Sequence, residues 1–243
     1  MLRFIDHKKM GRGEHSWLTS IHHFSFANYY NPDNIQFGVL RVVNDDSVTP
    51  DMGFDTHPHK DMEIITYVVD GEITHADSMG NKGTLKRGEV QYMSAGTGVF
   101  HSEHNFGEKQ LRFLQIWILP DAPNHKPNYG DYRFKWEDRQ NKWLPIASYT
   151  KNKKSDAPIK IHADVNVYAT YITKGNDITL KIGKNRQAYL VLIEGDADVN
   201  LTKLNAQDAL EIVEEDITIK TKSFAHVIVF EMAESKNAQF QGE

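Results

Sequence analysis

Short runs rich in Val, Ile, Phe, Tyr and Trp, each closed by Gly, Asn, Asp or Pro, recur about every ten residues along this chain. "FGVLRVVNDD" (37–46), "EIITYVVDGEITHADSMG" (63–80), "GEVQYMSAG" (88–96) and "LRFLQIWILP" (111–120) are the clearest in the first half. β-branched and aromatic side chains suit a pleated, half-buried surface, so the spacing reads as an all-β fold of short strands divided by turns. After Pro120 the texture changes to "DAPNHKPNYGDYRFKWEDRQNKW", with little periodicity, and this segment reads as a connector. Strand-like runs resume with "KIHADVNVYATYIT", "DITLKIG", "AYLVLIEGDADVNL" and "HVIVFEMAE", and the tail "SKNAQFQGE" is expected to fray.

The two β-rich halves carry a short internal match. "YVVDGEIT" (67–74) and "VLIEGDAD" (191–198) both read as apolar strand, acid, glycine, strand. About twenty residues later each half has a second acid-rich turn, "KRGEVQYM" and "VEEDITIK". The expected architecture is two similar β-barrels in tandem, residues 1–125 and 146–243, joined by a linker at 126–145. A chain of 243 residues with 40% apolar composition can supply a core for each.

Composition narrows the chemistry. There is no cysteine, which removes disulfides and thiolate metal sites, so any metal must rest on histidine and carboxylate. The start, "MLRFIDHKKMGRGEHSW", is charged and lacks an apolar export core, and no apolar run reaches the length of a membrane span. The expectation is a cytoplasmic protein. A formal net charge of -5 argues against a chain that coats nucleic acid.

Metal-ligating residues gather in the first half. In "THPHKDMEIITYVVDG" (56–71), His57 and His59 are two apart, and side chains two apart on a strand share a face. In "GTGVFHSEHN", His101 and Glu103 form a second such pair, 42 residues after His59, room for the chain to return and set one pair against the other. Three imidazoles and one carboxylate suit a borderline divalent metal such as Fe, Ni, Cu, Mn or Zn. Gly96 and Gly98 would let the backbone turn tightly before His101. Glu63 shares parity with His57 and His59 and is read as a carboxylate bracing a histidine. His22 and His23 cannot both face one cavity if their segment is extended. His75 reads as a solvated or hydrogen-bonded side chain, and His104 falls on the face opposite His101. Gln115, polar within an apolar strand, needs a partner or a ligand. "KNKK" (151–154) reads as a solvated loop.

The two stretches resemble the paired motifs of the cupins as they occur in the pirin family. His57, His59, Glu63 and Gly71 match the first motif, with seven residues rather than six before the glycine, and Gly98, His101 and Asn105 match the second. The usual proline of the second motif is replaced within "SAGTG". "HHFSFANYYNP", "DSMGNKG" and "LQIWILP" are also similar to pirin segments, so the likeness covers most of residues 15–120. It implies a bicupin whose N-terminal barrel binds Fe(II), or Ni, Cu, Mn or Zn in its place, through His57, His59, His101 and Glu103. It implies, too, a likeness to quercetin 2,3-dioxygenases, which cleave the flavonol heterocycle with O2 and release carbon monoxide. Glu103 would then serve as the base that takes the flavonol hydroxyl proton. The alternatives are a non-enzymatic, iron-dependent regulator, the role of animal pirin, and a non-redox cupin enzyme such as an isomerase. The second half lacks His-x-His and offers only His226 on its last strand, so its barrel is expected to hold no metal. The expected partners are a small aromatic substrate and O2, not nucleic acid or membrane, and the expected oligomeric state is a monomer.

Overall fold

The computed structural model describes residues 1–234; the tail expected to fray, 235–243, lies outside them. Among the described residues the regular structure is twenty-one strands and two 3-10 turns, and no helix is long and apolar enough to cross a membrane.

The first half forms two antiparallel sheets. The larger runs, in spatial order, through Asn128–Tyr132, Val90–Ser94, Glu63–Asp70, Leu111–Ile118, Leu40–Val48, Leu18–His22 and Gly11–Glu14. The smaller runs through Met52–His59, Val99–Asn105, Glu72–Asp77 and Lys82–Lys86. Glu103 on the small sheet is bonded by Gln115 on the large one, so the two face each other across the barrel interior. The second half is built around a sheet in which Arg186–Val199 and Phe224–Ala233 are central neighbours.

Two features cut across the simple division into halves. Leu2–Ile5 pairs with Ala209–Val213 and so adds an edge to the second barrel. Asn128–Tyr132, inside the stretch read as a connector, pairs with Val90–Ser94 and extends the first. The rest of that stretch carries a 3-10 turn, Trp136–Arg139, and then enters the second sheet as Leu144–Tyr149.

The barrels pack through their large sheets, which accounts for the unbroken apolar runs. On Glu63–Asp70, Ile64 and Val68 fill the first barrel, while Ile65, Tyr67 and Val69 join a cluster that also holds Tyr189, Val191, Ile193, Ile228 and Phe230 from the second half. On Arg186–Val199 the alternation repeats: Leu190 and Leu192 point into the second barrel, whose fully buried cluster is aliphatic. A strand covered on both faces has no solvent side to mark with polar residues. The repeat shows in its turns as well. Gly71 and Gly195 both have positive φ (76° and 89°), and a Cβ at either would strike the backbone at Gln110 or Phe224.

A polar chain crosses this junction. Arg139, fully buried, donates to Gly88 O (2.6 Å) and to the Tyr67 hydroxyl, and its guanidinium lies 5.0 Å over the Trp136 ring. Tyr67 in turn bonds His226 Nε2 (2.8 Å), and His226 Nδ1 bonds Glu194 (2.8 Å), which also accepts from Arg87 (2.7 Å). Burial alone would raise the Glu194 carboxyl, but His226 and Arg87 bring it down to about 2.

Candidate metal centre and its cavity

Met52–His59 and Val99–Asn105 run antiparallel with His101 directly opposite His57 and Val99 opposite His59. The three imidazoles converge: ring centroids lie 4.9 Å apart for His57 and His59, 4.5 Å for His57 and His101, and 4.9 Å for His59 and His101. One nitrogen from each falls within 4.8 Å of the others. His57 Nδ1 bonds Asp55 O at 2.7 Å, which places the proton there and leaves Nε2 with its lone pair. His101 is 1% exposed, yet neither ring nitrogen has a hydrogen-bond partner among the described residues. Burial, helped by the charge of neighbouring imidazoles, pushes His101 down to about 3 and His59 to about 4. Neutral rings with unpartnered nitrogens are the ligating form of histidine, so this donor set fits a divalent metal.

Glu103 follows His101 across an irregularity in the strand register. Its carboxylate is 2% exposed and groups with His101 and His75 within 4.8 Å rather than with all three of the other histidines. It accepts from Gln115 Nε2 (2.6 Å), Thr66 Oγ1 (2.9 Å) and Gln91 Nε2 (3.3 Å). These donors stand in one row across the large sheet, because Gln91 pairs with Thr66 in register, Thr66 with Gln115, and Gln115 with Asn44. Gln115, polar in an apolar strand, thus finds its partner in Glu103.

The centre opens into a cavity of about 640 Å³ walled by Trp17, Phe26, Phe54 and Trp117, with Ser20, His22, Asn44, Asp46 and Gln115 among its polar lining. His57, His59 and Glu103 all reach it. Asp46 is 4% exposed, and burial raises its carboxyl to about 7; the nearby Ser20 hydroxyl acts against that, and the charges of Asp45 and Glu103 add to it.

Other sequence candidates divide sharply. Glu63 faces away from the histidines, a correction to its parity reading: its oxygens accept from Tyr92 OH (2.7 Å) and Ser94 Oγ (2.8 Å), and His162 Nδ1 of the second half lies 3.1 Å away. The chain turns at Asp61 (φ 49°) between the small and the large sheet, and parity does not survive such a corner. His22 lines the cavity, whereas His23 points to the second barrel and bonds Tyr189 OH at 3.0 Å. His75 is hydrogen-bonded to Asp77 (3.1 Å) but buried rather than solvated, with its ring 5.4 Å from His101. His104 stacks on Phe106. Gly96 and Gly98 take φ of 44° and 139° just before the ligand strand. His226 sits at the barrel junction. In "KNKK", Lys151 is an exposed partner of Asp121 (3.0 Å). Sequence reasoning missed Asn44 and Asp46, although two polar residues with strand parity inside "LRVVNDDSV" are a signal of a face that is not filled by core.

Known proteins resemble this chain over nearly its whole length. The family profile described as Pirin matches residues 5–118, and that of the quercetinase C-terminal cupin domain matches residues 146–232. A pirin-like protein of Caulobacter vibrioides is 43% identical over 233 residues, 94% of this chain and 100% of its own length. The chain belongs to the pirin family. Another relative, quercetin 2,3-dioxygenase of Escherichia coli, is 40% identical over 224 residues, 91% of this chain and 94% of its own. Among solved structures, the bacterial pirin YhhW of Escherichia coli in complex with nickel(II) superposes with a TM-score of 0.89 at 37% identity, covering 97% of this chain and 100% of that one. The fold is therefore that of a bicupin pirin, two cupin-type barrels in tandem.

Proposed function

We propose that this pirin is a metal-dependent dioxygenase that opens the heterocycle of a flavonol such as quercetin, with His57, His59, His101 and Glu103 holding the metal. The observation that carries the reading is the convergence of three imidazoles, His101 with both nitrogens unpaired, at a cavity whose walls are aromatic. Nickel in YhhW and the name of the Escherichia coli relative support it. Bound Fe(II), or Ni, Cu, Mn or Zn in its place, would supply Lewis acidity, and a redox-capable ion the path for electrons between substrate and O2.

The chain's own residues do the rest. Trp17, Phe54 and Trp117 receive the flat faces of the substrate and exclude water. Glu103 takes the proton of the flavonol hydroxyl on a carboxylate oxygen, and Gln115, Thr66 and Gln91 keep that carboxylate aimed at the cavity. The absence of cysteine fits a cytoplasmic setting.

The test is reconstitution of metal-free protein with each of the five metals, followed by quercetin loss under air, carbon monoxide release and metal content. Turnover that follows a redox-capable metal and vanishes in His101→Ala is expected. Stoichiometric metal with no turnover for any of the five would overturn the dioxygenase and favour a regulatory module.

A further inference from the structure

The polar row on the large sheet splits into two halves with different fates. Gln91, Thr66 and Gln115 donate to Glu103. Beyond Gln115 the row continues through Asn44 to His22, its register partner, and two residues along the same strands Asp46 stands opposite Ser20. All four of these side chains line the cavity, and none is more than 4% exposed. Even so, His22 Nδ1 and Asn44 Oδ1 have no hydrogen-bond partner among the described residues, and Ser20 and Asp46, opposite each other, have at most one another. One buried polar atom left unpaired is costly. Four such side chains on adjacent strands, bordering one cavity, form a polar wall that something else completes.

The chemistry of that partner follows from the atoms. The Asn44 amide both donates and accepts, and the serine hydroxyl, the imidazole and a carboxyl that keeps its proton can do either. An anionic ligand would meet the Glu103 carboxylate, so the partner that suits this wall is an uncharged group that both donates and accepts, a hydroxyl. The walls are Trp17, Phe26, Phe54 and Trp117, which call for flat apolar faces. We propose that Ser20, His22, Asn44 and Asp46 form a hydroxyl-reading ladder that binds ring hydroxyls of a planar polyphenol, so that this site selects hydroxylated over bare aromatic rings. The ladder rests on the dioxygenase reading and adds to it the rule by which substrates are chosen.

The experiment is calorimetric titration, without oxygen, of the full chain loaded with redox-inert Zn(II). The two probes are quercetin, with two hydroxyls on its pendant ring, and galangin, the same flavonol without them. Wild type should bind quercetin at least about tenfold more tightly, the value of one good hydrogen bond to a charged or strongly polar partner. In Asn44→Leu and Asp46→Leu that preference should fall to about the threefold range or less, with zinc stoichiometry unchanged; Ser20→Ala, which removes a single oxygen, should give an intermediate value. Equal binding of both flavonols by wild type, or a preference that survives in all three variants, overturns the ladder and leaves the substrate class standing. Binding of neither flavonol overturns the ladder and the dioxygenase reading together. The wild-type comparison decides even where a variant fails to fold.

Discussion

Asp46→Asn should make the metal-free protein progressively more stable, relative to wild type, as pH rises from 4 to 8. In the folded chain burial holds the Asp46 carboxyl at about 7, against an ordinary value of 3.8. Between those limits the folded state keeps a proton that the unfolded chain has released, so wild-type stability is full below about pH 4 and is lost as pH climbs through 7. The gap of about three units, at 1.36 kcal/mol each, corresponds to about 4 kcal/mol. For a chain of 243 residues that is roughly 8–16 °C in Tm. Asparagine keeps the shape and does not titrate. Buried histidines that protonate in acid act alike on both proteins and drop out of the difference. The assay is thermal unfolding of chelator-treated wild type and variant at half-unit steps of pH. If the Tm difference stays flat across that range, Asp46 is not a buried neutral acid and the reasoning is wrong.

Three further outcomes follow from the same geometry. Gln115→Leu removes the 2.6 Å donor to Glu103 and should weaken metal binding about 10- to 100-fold in competition with a chelator, and unchanged affinity would remove Gln115 from the support of that carboxylate. Glu63→Gln disturbs a site bonded by Tyr92 and Ser94 on the face away from the histidines; it should lower stability by about 2 kcal/mol in urea titrations while metal stoichiometry stays intact. Loss of metal in that variant would contradict the orientation of Glu63. His23 is pushed down to about 4 chiefly by burial, so the unfolded chain takes up its proton first and stability is lost as pH falls from about 6.5 towards 4. His23→Leu should accordingly gain about 3 kcal/mol on wild type over that range, measured by urea midpoints, and no relative gain would mean that His23 titrates normally.

Much of this was legible because strands impose a period of two. The alternation located the sheets, the match around Gly71 and Gly195 revealed the repeat, and His57, His59 and His101 could be brought together from spacing alone. The period fails where a chain changes sheets, and the corner at Asp61 is why Glu63 was misassigned. Partnerships between distant strands were also illegible. No local pattern says that Arg139, in a segment of weak periodicity, will be buried against Tyr67, or that Asn44 and Ser20 will share one wall. Histidines drew attention by their chemistry, while an Asn and an Asp in a strand signalled the cavity just as well once the facing sheet was known.

The pairing of Leu2 with Ile212 has a consequence for synthesis. At roughly 5–20 residues per second the first strand leaves the ribosome about 10–40 s before its partner exists. Within that interval all the strands of the first barrel's two sheets, which lie between Gly11 and Tyr132, have already been made. The second barrel lacks its edge strand until the opening residues are handed to it, with His7 anchored on Asp208 at 2.7 Å beside the joint. A chain cut between the halves would therefore bare the apolar outer face of the first barrel's large sheet and leave the C-terminal fragment with an open sheet edge, free to any passing strand.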